Sequence, residues 1–173
     1  LPAEVTLTSD LPVVCAGQST NLYIPVSEAN TDYYLILNGA ETGEMISGNG
    51  GVISFANVTV GGDYTLRAVS HHSNTDCEAY LITKQTITLS SLPAIRFIAV
   101  ADGTTCANGT VITVQNAESG VIYEVFNSTG NTLVSPAYSL TGAGADLVFP
   151  AIVAKDNHYY VVSRNAAGCT LNI

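Results

Sequence analysis

The stretch LPAIRFIAVADGTTCA (residues 92–107) repeats the chain's own opening, LPAEVTLTSDLPVVCA (residues 1–16). The two lie on each other without a gap at an offset of 91 (92 − 1 and 106 − 15), with Leu, Pro, Ala, Cys and Ala recurring in place. Self-similarity at a fixed spacing marks a tandem repeat. It predicts two modules, residues 1–91 and 92–173, each of a size that folds as an independent domain.

The rest of the chain reads as strands and turns. In module 1, Ala3 to Ser9 alternates Val5 and Leu7 with threonines, and a second strand carries Leu22, Ile24 and Val26 on one face. Asp32 to Asn38 is the most apolar strand and closes on Asn38-Gly39, a hairpin signal. A glycine-rich loop is expected over residues 43–51. Strands follow at Val52 to Val58, at Tyr64 to Ala68 and, beyond a polar loop holding Cys77, at Leu81 to Leu89. Module 2 retraces this path at Ile95 to Val100, Val111 to Val114, Val121 to Asn127, Leu147 to Phe149 and Tyr159 to Ser163. It stops at Ile173, four residues past Cys169, so its last strand is expected to be incomplete. Short strands and frequent turn signals in about 90 residues predict an all-β fold of two tandem Ig-like antiparallel β-sandwich modules. No window carries the i, i+3, i+4, i+7 apolar spacing of a long helix. Only Ser90-Ser91-Leu92-Pro93 separates the modules, which predicts an extended pair.

Composition excludes several functions. The 173 residues are 47% hydrophobic and 11% charged, with five basic residues and a net charge of −9. So acidic a chain repels phosphate backbones and anionic lipid surfaces, so neither nucleic acid nor membrane insertion is expected. No apolar run approaches the length of a membrane span. The chain opens directly on a module, as a segment of a longer protein would.

Four cysteines fall two per module. Cys15 to Cys77 spans 62 residues (77 − 15) and Cys106 to Cys169 spans 63 (169 − 106). Equal spacing without C-x₂-C clusters reads as disulfides formed in an oxidising, extracytoplasmic place. A bridge closing such a loop stabilises by about 4 kcal/mol. The within-module pairings Cys15–Cys77 and Cys106–Cys169 are expected from the repeat. Two alternatives stand beside them: a different topology, or Cys15 with Cys169 across the junction.

Chemistry is sparse. His71-His72 lacks metal-ligand spacing, and His158 reads as a surface residue. Nucleophile motifs are absent, and Asp102-Gly103-Thr104-Thr105 reads as a turn. No metal site, cofactor or catalytic residue is expected. The scattered acids Glu41, Glu44, Asp63, Asp76, Asp102, Asp146 and Asp156 form no calcium loop, which leaves calcium at a module junction as an open question. Asn57, Asn108 and Asn127 open N-x-[ST] triplets. In the doublets Tyr33-Tyr34 and Tyr159-Tyr160, period-two geometry turns one ring in and one out. Tyr33 and Tyr159 are taken as the candidate ligand-facing residues.

Cys15-Ala16-Gly17, Cys106-Ala107-Asn108-Gly109, Gly61-Gly62-Asp63-Tyr64-Thr65-Leu66-Arg67-Ala68 and Tyr159-Tyr160-Val161-Val162-Ser163-Arg164-Asn165 together carry a resemblance. They resemble the tandem Ig-like repeats of large surface adhesins of Bacteroidetes, including the gliding-adhesin type exported by the type IX system. The resemblance implies an extracellular, cell-surface, many-repeat stalk or filament with neighbouring repeats as partners. Two further readings stand against a passive stalk. In one, the chain polymerises as Leu1 to Val14 is donated to a neighbour's uncapped sheet. In the other, it is an adhesin module that binds surface glycans or proteins.

Overall fold

The computed structural model describes residues 1–72, 75–102, 109–152 and 158–173. Cys106, Asn108, Asp156 and Gly103 to Thr105, singled out above, lie outside them. The chain divides into two compact units, Leu1–Ser90 and Ser91–Ile173.

Unit 1 holds nine strands: β1 (Thr8–Ser9), β2 (Val13–Cys15), β3 (Thr20–Ile24), β4 (Thr31–Leu37), β5 (Ala40–Ser47), β6 (Ile53–Val58), β7 (Gly62–His71), β8 (Asp76–Tyr80) and β9 (Gln85–Ser90). One sheet has the order β1-β3-β6. The other runs β2-β9-β7-β4-β5, with β8 also paired to β7. All pairs are antiparallel except β2 with β9. The two sheets bury Leu22, Ile24, Phe55, Tyr33, Leu35, Leu66 and Ile87 between them.

Strand β4 is central because its inward positions Thr31, Tyr33 and Leu35 are buried and both its neighbours are long. Asn38 and Gly39, with φ of 50° and 85°, make the left-handed two-residue turn into β5. Residues 43–47, expected as loop, continue β5 beyond an irregularity near Gly43, whose φ is 89°. The segment around Cys77, also expected as loop, is strand β8. Val26, expected in the core, is exposed, because Pro25 lacks an N–H and β3 ends at Ile24.

Unit 2 has β10 (Ile98–Asp102), β11 (Thr110–Val114), β12 (Ile122–Asn127), β13 (Thr132–Leu133), a 3-10 turn at Pro136–Tyr138, β14 (Ser139–Thr141), β15 (Leu147–Val148), β16 (Tyr159–Arg164) and β17 (Thr170–Asn172). Its sheets are β10-β11-β15 and β13-β12-β16-β17, with β14 also on β12. Tyr33 faces Ala68 in unit 1 and Tyr123 faces Ser163 in unit 2, so β4·β7 and β12·β16 share one register.

One cluster around a buried tyrosine is built twice. Glu28 N–H donates to the Tyr33 hydroxyl at 3.0 Å, and Glu118 N–H to the Tyr123 hydroxyl at 2.9 Å. Ala3 N–H donates to the Glu28 carboxylate and Ala94 N–H to that of Glu118, each at 3.0 Å. A Cβ on Gly48 would lie 2.0 Å from the Glu28 carbonyl oxygen, and one on Gly142 2.3 Å from that of Glu118. Only glycine fits at either place.

The cysteine pairing corrects the expectation. Cys15 and Cys169 are each disulfide-bonded, whereas Cys77 carries a free thiol. Cys15 lies opposite Ser90 of β9, Ile87 of β9 opposite Gly62 of β7, and Cys77 opposite Ser70. The run from Gly62 to Ser70 alone covers about 25 Å at the rise of a strand, and a disulfide holds Cα atoms about 5.5 Å apart. Cys15 and Cys77 therefore sit at opposite ends of one sheet. The donor segment of the polymerising reading is likewise spoken for: β1 and β2 are paired, and Leu7 and Val14 are buried, within unit 1 itself.

Thr31 is buried and its hydroxyl has no hydrogen-bond partner, whereas Val121 occupies the same place in unit 2. Thr31→Val removes the orphaned group at little change of shape and is expected to stabilise unit 1 by about 1 kcal/mol. Urea unfolding of the variant, read as a raised midpoint with an unchanged slope, checks this. Unreduced protein treated with iodoacetamide is expected to gain the label on Cys77 and not on Cys15 or Cys169, as peptide mass mapping would show.

Candidate functional site: the outer face of the larger sheet

Strand alternation turns Tyr33 inward and its neighbours outward. Tyr33 is 0% exposed, and burial pushes its phenol above the ordinary value, so it cannot meet a ligand. Tyr159 is partly buried against the unit 2 core. Both candidate ligand-facing tyrosines therefore belong to the interior, and the outward members of the doublets are Tyr34 and Tyr160. The sequence hides this because both parities of Asp32 to Asn38 are apolar, as are Val161 and Val162 beyond the second doublet.

The outward face of unit 1 is organised by strand register. Met45 of β5 lies opposite Tyr34 of β4, Tyr34 opposite Arg67 of β7, and Arg67 opposite Tyr80 of β8. These four side chains form one row across four strands. The Arg67 guanidinium lies 3.9 Å over the Tyr34 ring, and its Nε donates to Glu41 Oε1 at 2.6 Å. Its Nη1 reaches Glu78 Oε2 at 3.5 Å, and the side chain is only 15% exposed. Beside this row, His71 stands between two carboxylates, with Nε2 2.9 Å from Asp32 and Nδ1 3.0 Å from Asp76. The Ser47 hydroxyl also donates to Asp32 at 2.6 Å. Each ring nitrogen is committed to a different carboxylate, so the three groups do not converge on a point that could hold a metal ion. Among the described residues no group of three or more His, Cys, Asp or Glu does so.

Arg67 and His71 are each bracketed by two acids, while Lys84 near the other end of β7 is paired with Asp63, so the surroundings of the row are negative overall. None of Met45, Arg67, Asp76, Glu78 or Tyr80 stands out from sequence alone, since only the register gathers them.

The matching row of unit 2 is Ser139, Glu124, Val162 and Asn172. Glu124 takes hydrogen bonds from Ser139 and Arg164. The outward Tyr160 is stacked on Phe126 at 5.6 Å. A separate cleft of about 380 Å³ opens in unit 1 between β5 and β6, floored by Leu35, Leu37, Phe55, Val58 and Tyr64.

No protein-family model and no curated protein sequence matches the chain. Among solved structures it is similar to the fibronectin(III)-like modules of Clostridium thermocellum CbhA. That match has 12% identity and a TM-score of 0.50, over 97% of this chain and 90% of that one. It is also similar to the chicken CNTN1 FN1-FN3 domains, at 10% identity and a TM-score of 0.46, over 99% of this chain and 67% of that one. Murine CEACAM1b is similar at 15% identity and a TM-score of 0.44, over 98% and 96%. At these identities the likeness speaks for the fold alone: the chain is all-β, of the Ig and fibronectin-III sandwich type.

Hydrogen bonds that the His71 ring donates to Asp32 and then to Asp76 raise the His71 pKa above its ordinary 6.5. Those from Ser47 and then His71 hold Asp32 below its ordinary 3.8. The histidine's contribution to stability is complete below pH 6.5 and fades as pH rises through its raised value. The aspartate's is complete above 3.8 and fades as pH falls through its lowered value. The stability lost in His71→Asn is therefore expected to be largest between pH 3.8 and 6.5 and to shrink in alkali, as denaturation at a series of pH values would show.

Proposed function

We propose that the chain is a non-catalytic extracellular spacer: two disulfide-stabilised sandwich repeats within the stalk of a cell-surface adhesin or filament. The observation that carries this reading is the anchor built twice around Tyr33 and Tyr123, with the same partners at Ala3 and Ala94 and at Gly48 and Gly142. What recurs between the units is scaffold. The groups that meet on the surface, such as His71 with Asp32 and Asp76, are consumed by one another rather than poised around a reacting atom.

Two further features support an extracellular place. Cys15 and Cys169 are disulfide-bonded, a state that persists in oxidising surroundings. No helix among the described residues is long and apolar enough to cross a membrane. The resemblance of the Cys-Ala-Gly and Gly-Gly-Asp-Tyr-Thr-Leu segments to Bacteroidetes adhesin repeats supports a place among neighbouring repeats of a long surface protein.

Antibodies raised against the chain are expected to label intact, unpermeabilised source cells, and shaving the cells with protease is expected to remove the label. Labelling that appears only after permeabilisation would overturn the reading.

A further inference from the structure

Beyond its role as a spacer, we infer that the outward face of the β5-β4-β7-β8 sheet in unit 1 is a docking surface for a basic protein, centred on the row Met45, Tyr34, Arg67 and Tyr80. The first ground is a comparison of the two units. They share the register of their central strands and the buried tyrosine anchor, yet the same lattice positions hold Ser139, Glu124, Val162 and Asn172 in unit 2. A fold that stands in unit 2 without these side chains does not need them in unit 1. There Tyr80 is 67% exposed and Met45 46% exposed, two large apolar groups standing in water on one row.

The second ground is preorganisation. Arg67 is fixed from three sides, by the Tyr34 ring, Glu41 and Glu78, so the centre of the row is rigid before any partner arrives. Tyrosine, methionine and arginine are the residue types concentrated at the centres of protein interfaces, where rigid side chains lose little entropy on binding.

The third ground is charge. Asp32, Glu41, Asp76 and Glu78 ring the row, and only Arg67 and His71 oppose them. The ring selects a partner carrying Lys or Arg, whose aliphatic stem lies along Tyr80 and Met45 while its charged end meets Glu78 or Asp76. A neutral sugar would use the rings and leave this charge unanswered.

The test uses the full chain, immobilised and screened against a randomised peptide library, with a glycan array run in parallel. Peptides that pair Lys or Arg with an aromatic or aliphatic residue are expected to be enriched. Their affinity is expected to fall about tenfold or more with Met45→Ala and Tyr80→Ala combined. It is expected to fall several-fold with Glu78→Gln, and to weaken as salt rises through about 0.5 M. Tyr80→Phe, which keeps the ring, is expected to retain binding, and Tyr160→Ala in unit 2 to leave it unchanged. Tyr80 and Met45 are exposed, so both truncations are expected to keep the wild-type unfolding midpoint. If Tyr80→Ala nonetheless lowers that midpoint, the fall with Glu78→Gln and with salt decides the question. The inference is overturned if no peptide is enriched, if the enriched peptides lack basic residues, or if their binding ignores the combined variant. It is also overturned if a neutral glycan, rather than a peptide, binds in a Tyr80-dependent way. Cell-surface labelling would be unaffected by any of these results.

Discussion

Each unit depends on a buried tyrosine hydroxyl that accepts the backbone N–H of a glutamate five residues earlier. That amide lies in the turn entering the central strand, and leaving it buried without a partner would cost about 1–3 kcal/mol. The glutamate does three things at once. Its N–H fixes the tyrosine, its carboxylate holds the chain entering the unit, and its carbonyl packs so closely on Gly48 or Gly142 that no side chain can replace the glycine hydrogen. Three segments distant in sequence are thus tied at one point. Because strand side chains alternate, pinning Tyr33 inward also forces Asp32 and Tyr34 outward. The register of β4 against β7, and of β7 against β8, then delivers Arg67, His71, Asp76 and Tyr80 to the same face. The interior bond sets the exterior surface.

Much of this was legible before any coordinates. The duplicated Leu-Pro-Ala segment points to two copies of one unit, and alternating apolar residues mark Val52 to Val58 and Val111 to Val114 as strands. Asn38-Gly39 marks its hairpin because few other pairs accept two left-handed residues. What stayed hidden has physical causes. Strand β5 continues past Gly43 because partners on β4 outweigh the local preference of glycine for turns. Strand β8 forms in a polar stretch because β7 is long enough to pair two strands along one edge, β9 near Gly62 and β8 near Ser70. That same arrangement separates Cys15 from Cys77, so equal spacing along the sequence did not become proximity in space. Which ring of Tyr33-Tyr34 and of Tyr159-Tyr160 faces inward is not legible in the sequence, because both strands are apolar on both faces, which removes the contrast that parity needs.

The surface of unit 1 offers two features to a partner, and physical chemistry separates them. The cleft between β5 and β6 is walled by core residues, and its Tyr64 hydroxyl is already spent on the Val60 carbonyl. Such a space is what remains where two edge strands diverge around a local irregularity. The outer row differs in kind, because its apolar groups stand in water beside charges already locked in position. In unit 2, Phe97 is 82% exposed but lies opposite Gln115, with Ala99 opposite Thr113 along the same strand pair. Exposure alone costs a fold little and says little. Exposure combined with a fixed arginine and a rim in which acids outnumber cations restricts the chemistry of whatever covers it, and unit 1 has that combination on the face set by its buried tyrosine.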